Sequence, residues 1–333
     1  MDLIMRSFAL LAVGAVFLAA LPGRADVEFL WGLTGAAGSP SSLYAINPTN
    51  GQVLGLIGAT GQVNLSGMAI QPGTGVLYSA QGNVGAKGLY RIDKATGAAT
   101  KVGTIGVAIA DTAFSPAGVL YAWSASAFKL YTINLANGTP TQLANAPSTV
   151  GKSSLAFGAG GVLFMVRSDR VITVNPTTGA LVTGPVVMTG GSFDNLLAAN
   201  SAGALYGGAR TGKGAPTTIY RLNPATGVVT TVGSAAGVGL TSLIFDTATP
   251  PVLNVKGGKK KTTKTSFKLT GNATSLLPLT VSFKSKKAKV KAGKWTLKVP
   301  LKKVGKNKIT LLCADGMGQS VTRKVTVVRE ESR

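Results

Sequence analysis

The chain contains no histidine. That removes Ser-His-Asp and Cys-His catalysis and any imidazole metal site. The single thiol, Cys313, has no partner for an intrachain disulfide. In "ITLLCAD" it shares one strand face with Ile309 and Leu311, the setting of a small buried hydrophobe. No Gly-rich phosphate loop stands between a strand and a helix. Chemistry is left to carboxylates and lysines. The first 250 residues carry Asp26, Glu28, Asp93, Asp111, Asp169, Asp194 and Asp246 beyond the N-terminal segment. Asp93, Asp169 and Asp246 read as turn residues, where a carboxylate bonds its own backbone. Asp111 and Asp194 instead stand near the start of apolar strands, and Asn64, Ser154, Asn195 and Ser242 occupy equivalent places. If those strands converge on a channel, the six form an oxygen-rich ring. Such a ring suits a small polar ligand or Ca²⁺. A carbohydrate hydrolase or lyase would need two or three positioned acids there, and two aspartates meet that demand thinly. Hydration and strand-end hydrogen bonding are the plain alternative. No cofactor is expected, and no catalytic residue is assigned.

The lysines are concentrated at one end. From Pro251 onward there are 21 Lys+Arg against 3 Asp+Glu, a net +18; the first 250 residues hold 13 against 8, a net +5. Such asymmetry marks two regions with different surroundings. Lys268, Lys284, Lys286, Lys289, Lys291 and Lys298 lie among apolar strand residues, which predicts that they point outward. Lysine is a hydrated point charge, suited to diffuse attraction of a polyanion and less to a bidentate clamp. A solvated face that blunts sheet edges is the competing explanation. Phe267, Phe283 and Trp295 fall on inward positions, so nothing is left for base stacking, and sequence-specific nucleic-acid recognition is not expected.

The elements that must position these groups repeat. "LYAINPTNG", "LYRIDKATG", "LYTINLANG", "VITVNPTTG" and "IYRLNPATG" each join an apolar strand to Asn or Asp, then Gly, then a Thr/Val-rich strand. The glycines Gly51, Gly97, Gly138, Gly179 and Gly227 are spaced by 46, 41, 41 and 48 residues. Asn or Asp and Gly are what a hairpin loop requires. Between these hairpins lie strand–turn–strand units such as "MAIQPGTGVLYSA" and "TAFSPAGVLYAW". Alternation of the two units gives four strands per period, the pattern of a β-propeller. Four complete blades are predicted over 64–106, 108–147, 152–188 and 193–234. A fifth closes the ring by joining "LTSLIFDTATP" to "EFLWGLT" and the first hairpin. Trp123, an extra aromatic in "LYAWSAS", is a surface-contact candidate. After the boundary "TPPVLNV", alternating strands over 250–333 predict a small β-sandwich.

Residues 27–248 resemble secreted bacterial β-propeller proteins with "LYxINPxTG" repeats. "GKWTLKVPLKKVGKNKITLLCADGMGQSVTRKVTVV" resembles bacterial immunoglobulin-like domains, with Trp295, Gly305, Asn307, Ile309, Thr310, Asp315 and Gly318 matching that outline. The likeness implies fold and says little of activity. Arg6, the apolar stretch Phe8–Leu21 and "GRA" ending at Ala25 form a signal peptide over 1–25, with cleavage expected before Asp26. No later apolar run is long enough to span a membrane. The expectation is an all-β protein secreted to the periplasm or beyond. It comprises a five-bladed propeller over 26–249 and a basic sandwich over 250–333. Its expected role is that of a non-enzymatic binding or scaffold protein whose sandwich associates with anionic envelope or matrix polymers. The alternative is an extracellular polysaccharide hydrolase or lyase with its site in the propeller channel.

Overall fold

The computed structural model describes residues 25–35, 38–82, 87–145, 153–167, 169–194, 196–212, 214–257 and 260–332. Most of the expected signal peptide, and Asn195, lie outside them. The described residues are built from strands, with one short 3₁₀ turn at Ala159–Gly161. The chain opens with β1 (Val27–Thr34), β2 (Pro40–Ile46) and β3 (Val53–Val63). Then follow β4 (Leu65–Ile70), β5 (Leu77–Gln81), β6 (Gly88–Ile92) and β7 (Ala99–Thr104). The next set is β8 (Asp111–Phe114), β9 (Leu120–Ser124), β10 (Lys129–Ile133) and β11 (Pro140–Gln142). After it come β12 (Ser154–Phe157), β13 (Leu163–Arg167), β14 (Arg170–Val174) and β15 (Leu181–Val187). The last such set is β16 (Leu197–Ala199), β17 (Leu205–Arg210), β18 (Thr217–Leu222) and β19 (Val229–Ala235). Each set of four is one antiparallel sheet in sequence order. Strand β20 (Leu240–Ala248) returns to pair with β1, from Val27 opposite Ala248 to Thr34 opposite Leu240, giving a sheet ordered β20-β1-β2-β3.

Strands β20, β4, β8, β12 and β16 neighbour one another in that cyclic order. The four-stranded sheets thus stand around a common centre, a propeller-like fold. Apolar clusters fill the spaces between successive sheets. One joins Tyr78, Leu89 and Ile105 to Phe114 and Leu120, and the next joins Tyr121 and Trp123 to Leu155 and Met165. Both faces of a middle strand are therefore covered. Trp123 is fully buried for this reason, which corrects its assignment as a surface residue.

The repeated hairpin follows from local chemistry. Asn47 Oδ1 accepts from the Thr49 amide at 2.9 Å, Asp93 Oδ1 from Ala95 and Thr96, and Asn175 Oδ1 from Thr177 and Thr178. The glycine that closes the loop has positive φ, 78° at Gly97 and 81° at Gly138. It meets a second constraint. A Cβ on Gly97 would lie 2.7 Å from the Gly58 carbonyl oxygen of the preceding sheet, and one on Gly138 would lie 3.0 Å from the Gly103 carbonyl carbon. Sheets touch backbone to backbone there, and a side chain on either partner would hold them apart.

Beyond the propeller-like region lie β21 (Val252–Val255), β22 (Lys261–Thr262), β23 (Ser266–Thr274) and β24 (Leu279–Phe283). They are followed by β25 (Lys286–Lys289), β26 (Lys294–Pro300), β27 (Gly305–Asp315) and β28 (Ser320–Arg329). These make a three-stranded sheet, β21-β23-β26, and a five-stranded sheet, β22-β28-β27-β24-β25. One core lies between them, built on Leu269, Val281, Trp295, Leu297, Val299, Ile309, Leu311, Cys313 and Val327. Alternation along β26 is strict: Trp295, Leu297 and Val299 are buried, and their neighbours are exposed. This two-sheet unit is seated on the propeller-like region. Leu277 belongs to the same buried cluster as Phe29, Trp31 and Leu65, with Leu276 and Met317 packed against it.

Candidate functional site

The groups that the sequence singles out in the propeller-like region gather where the inner strands begin, and they bond strand to strand. The Ser242 hydroxyl of β20 accepts from the Met68 amide of β4 at 2.7 Å. On β4, Ser66 donates to the Ile109 carbonyl just before β8. On β8, Asp111 Oδ2 accepts from the Leu155 amide of β12 at 2.9 Å, while Oδ1 accepts from the adjacent Thr112 amide at 2.9 Å. The Ser154 hydroxyl of β12 donates to the Asp194 carbonyl at 3.4 Å. Thr217 Oγ1 accepts from Leu240 at the head of β20 at 2.8 Å, and Thr241 Oγ1 donates to the carbonyls of Leu33 and Leu65. The result is a belt of polar side chains bonded to the backbone of neighbouring sheets.

Asp111 is 2% exposed, and both carboxylate oxygens are taken by amides. Burial pushes its pKa well above the usual carboxylate range, against the opposing pull of the two amide bonds. Asp194 is placed differently. Its side chain is 43% exposed, and Oδ2 accepts from the Arg210 amide at 2.9 Å and lies 3.7 Å from Arg210 Nε. Asn64 is buried at the lead-in to β4 with φ 53°, its carbonyl accepting from Gly82. Asp111, Ser154 and the Asp194 backbone thus come together along adjoining inner strands, while the Asp194 carboxylate turns to its own sheet. Ser242 serves the junction of β20 with β4. Among the described residues there is no cluster of three or more Cys, Asp or Glu able to hold a metal ion.

Asp246 is a residue that sequence reasoning misplaced. It lies within β20 opposite Phe29, not in a turn. Its Oδ2 accepts from Trp31 Nε1 at 2.8 Å and pairs with Lys94 Nζ at 2.8 Å, with both ionic side chains mostly shielded. Lys94 comes from the hairpin of the next sheet, so one carboxylate ties two sheets together. Its strand alternation was visible in "LTSLIFDTA"; its distant partners were not.

The lysines divide by sheet. All six named from the sequence are exposed. Lys268 and Lys298 are cross-strand partners on the outer face of the three-stranded sheet. Lys289, opposite Thr280, lies on the outer face of the five-stranded sheet. Lys286 starts β25 opposite Phe283, Lys284 occupies the turn before it with φ 54°, and Lys291 lies in the link to β26. Among the described residues, the ion pair of this unit is Lys261–Glu330 at 3.0 Å. Asp315 is buried, its carboxyl raised by that burial, and its Oδ1 accepts from Met317 and Gln319.

Residues 53–194 match the sequence profile of a family described as a repeat of unknown function (DUF6923). No curated protein matches the sequence. Among solved structures, the chain is similar to a symmetrical protein from work on de novo evolutionary emergence shaped by folding constraints. There the identity is 18%, over 66% of this chain and 98% of that one, with a TM-score of 0.45. It is also similar to a protein of unknown function from Bacteroides caccae, at 10% identity over 66% and 98% with a TM-score of 0.43. TolB from Acinetobacter baumannii is similar at 11% identity over 65% and 54%, with a TM-score of 0.42. Among the described residues, no helix is long and apolar enough to cross a membrane.

Proposed function

We propose that this chain is a non-enzymatic binding or scaffold protein, exported after cleavage of a signal peptide before Asp26 to the periplasm or beyond. In this reading residues 26–249 form a five-bladed β-propeller whose closing blade is drawn from both ends of that region. Residues 250–333 form an immunoglobulin-like sandwich that associates with anionic envelope or matrix polymers. The observation that carries the reading is the fate of charge. Among the described residues, the strand lysines of the two-sheet unit stand exposed, with a single carboxylate partner, that of Lys261. The buried polar side chains of the propeller-like region, Asp111, Thr217 and Ser242 among them, are held by its own backbone. Packing of Leu276, Leu277 and Met317 on the propeller supports a fixed platform for the basic unit.

A polysaccharide hydrolase or lyase would need the carboxylates of Asp111 and Asp194 free to reach a sugar. Asp111 instead holds two backbone amides at a site closed to solvent. The belt reads as the bond between blades.

The test is binding to immobilised heparin as a salt-graded polyanion probe. Affinity is expected to fall steeply with salt, because each neutralised anion releases a condensed counterion. Replacement of Lys268, Lys289, Lys291 and Lys298 by Gln should weaken it without unfolding the chain. Binding indifferent to salt, or unchanged in that variant, would show that the charge serves solvation alone.

A further inference from the structure

The basic unit has two outer faces, and they are built differently. On the three-stranded sheet Lys268 stands directly opposite Lys298, a like-charged pair that works against the sheet. On the five-stranded sheet the core residues Val281, Ile309, Leu311, Val325 and Val327 fix which positions point inward. The outward positions then include Lys287 and Lys289 on β25, Thr280 and Ser282 on β24, Lys306, Lys308 and Thr310 on β27, and Lys324 and Thr326 on β28. Their register sets lysine against hydroxyl: Thr280 opposite Lys289, Ser282 opposite Lys287, Thr310 opposite Lys324 and Lys308 opposite Thr326. These lysines are all exposed, and no carboxylate occupies an outward position of β24, β25, β27 or β28 between Lys306 and Lys324.

We propose that this outer face, through Lys287, Lys289, Lys306, Lys308 and Lys324, binds a linear acidic polysaccharide. The inference rests on the anionic-polymer reading above and assigns it a surface and a polymer class. Lys306 stands opposite Val328, while Lys287, Lys289, Lys308 and Lys324 each have a hydroxyl residue as cross-strand neighbour, with Cβ atoms about 5 Å apart. The pair offers a charge for a carboxylate and a hydrogen-bonding group for a sugar hydroxyl. Along β25 and β27 successive lysines recur every second residue, about 7 Å apart, so a chain bearing charges on repeating units can follow a strand. The field covers the adjacent strands β25, β24, β27 and β28, a width of about 14 Å. Lysine point charges without arginine forks suit a polymer that can slide. The face carries no aromatic side chain, so it lacks the stacking platform that single-stranded nucleic acid uses.

The experiment uses the full chain and three variants. One replaces Lys287, Lys289, Lys306, Lys308 and Lys324 by Gln. A second replaces Lys268, Lys294 and Lys298 by Gln. A third carries Arg at the first five positions and controls for folding and charge. The probes are polygalacturonate and, separately, single-stranded DNA, each titrated with salt. The five-Gln variant should lose about tenfold or more in affinity for polygalacturonate with a shallower salt slope, while the five-Arg variant binds as the parent does. The three-Gln variant should lose clearly less. An equal or larger loss in the three-Gln variant overturns the assignment of the face and leaves the anionic-polymer reading standing. Tighter binding of DNA than of polygalacturonate overturns the polymer class. Failure of the parent chain to bind either probe at low salt overturns the anionic-polymer reading itself.

Discussion

The propeller-like region and the two-sheet unit behind it are both all-β, yet they spend polar side chains in opposite ways. In the first, Ser66, Asp111, Ser154, Thr217 and Ser242 bond the backbone of a neighbouring sheet or of the segment leading into it. Its shielded ion pair, Lys94–Asp246, spans two sheets. In the second, lysines turn outward and the interior is almost wholly apolar. The reason is geometric. A ring of sheets converges on its inner strands, where backbone groups at strand starts have no ladder partner and need side chains. Two stacked sheets satisfy their backbone in the ladders and leave their outer faces free. The ring's polar residues are therefore part of its stability, and those of the two-sheet unit are left facing solvent.

The contrast can be broken most severely at the glycines between sheets. A Cβ on Gly103 would collide with the Asn137 carbonyl oxygen of the next sheet, and neither backbone can yield. Gly103→Val should cost about 3 kcal/mol or more, read as a lowered denaturation midpoint. A variant that unfolds as the parent does would mean that the sheets are not in backbone contact there.

A second break is in the belt. Asp111→Asn keeps one acceptor and turns an amide group toward the remaining N–H. The expected loss at acid pH is about 1–3 kcal/mol. The pH dependence sharpens this. Burial raises the folded-state pKa of Asp111, so the unfolded chain releases its proton first as pH rises. The protonated group's advantage is full below the ordinary carboxylate range and declines as pH climbs toward the raised folded value. Chemical denaturation across that window should show falling stability in the parent and a shallower fall in Asp111→Asn. Some slope should remain, because Asp315 is raised by burial too. An unchanged slope would place the Asp111 carboxyl in contact with water.

Asp246→Asn should have a smaller effect, about 1–2 kcal/mol, since it removes a shielded charge pair while leaving an oxygen for Trp31. That loss should shrink in Lys94→Gln, which a double-mutant cycle would reveal. The smallest effect on stability is expected from Lys306→Gln with Lys308→Gln, within about 0.5 kcal/mol by thermal unfolding.

What could be read from sequence was whatever is local. The Asn or Asp and Gly of each hairpin act within five residues, so "LYRIDKATG" announces both the turn at Asp93 and the strands beside it. Positions on strands were also legible. Asp111 and Ser154 do begin inner strands, and Lys268, Lys289 and Lys298 do alternate with inward residues, whereas Lys284 and Lys291 lie in a turn and a link and not on strands. What those groups touch was not legible, because partners arrive from elsewhere in the chain. Asp246 meets Trp31 from 215 positions away, and nothing near either residue marks the other. Alternation likewise tells that Lys268 and Lys289 point outward, but not that they stand on opposite faces. Trp123 was misjudged because a middle strand between two neighbouring sheets has no free side.

The pairing of β20 with β1 sets an order of events in folding. A chain emerging with its N-terminus first completes β1, β2 and β3 early, yet one edge of that sheet stays open until Leu240–Ala248 has been made. Every intervening sheet can form from neighbours close in sequence; this one waits for contacts of very high separation. Such non-local closure is slow and carries most of the loop entropy. The exposed edge of β1, with Phe29, Leu30 and Trp31 beside it, is then the segment most in need of protection during synthesis.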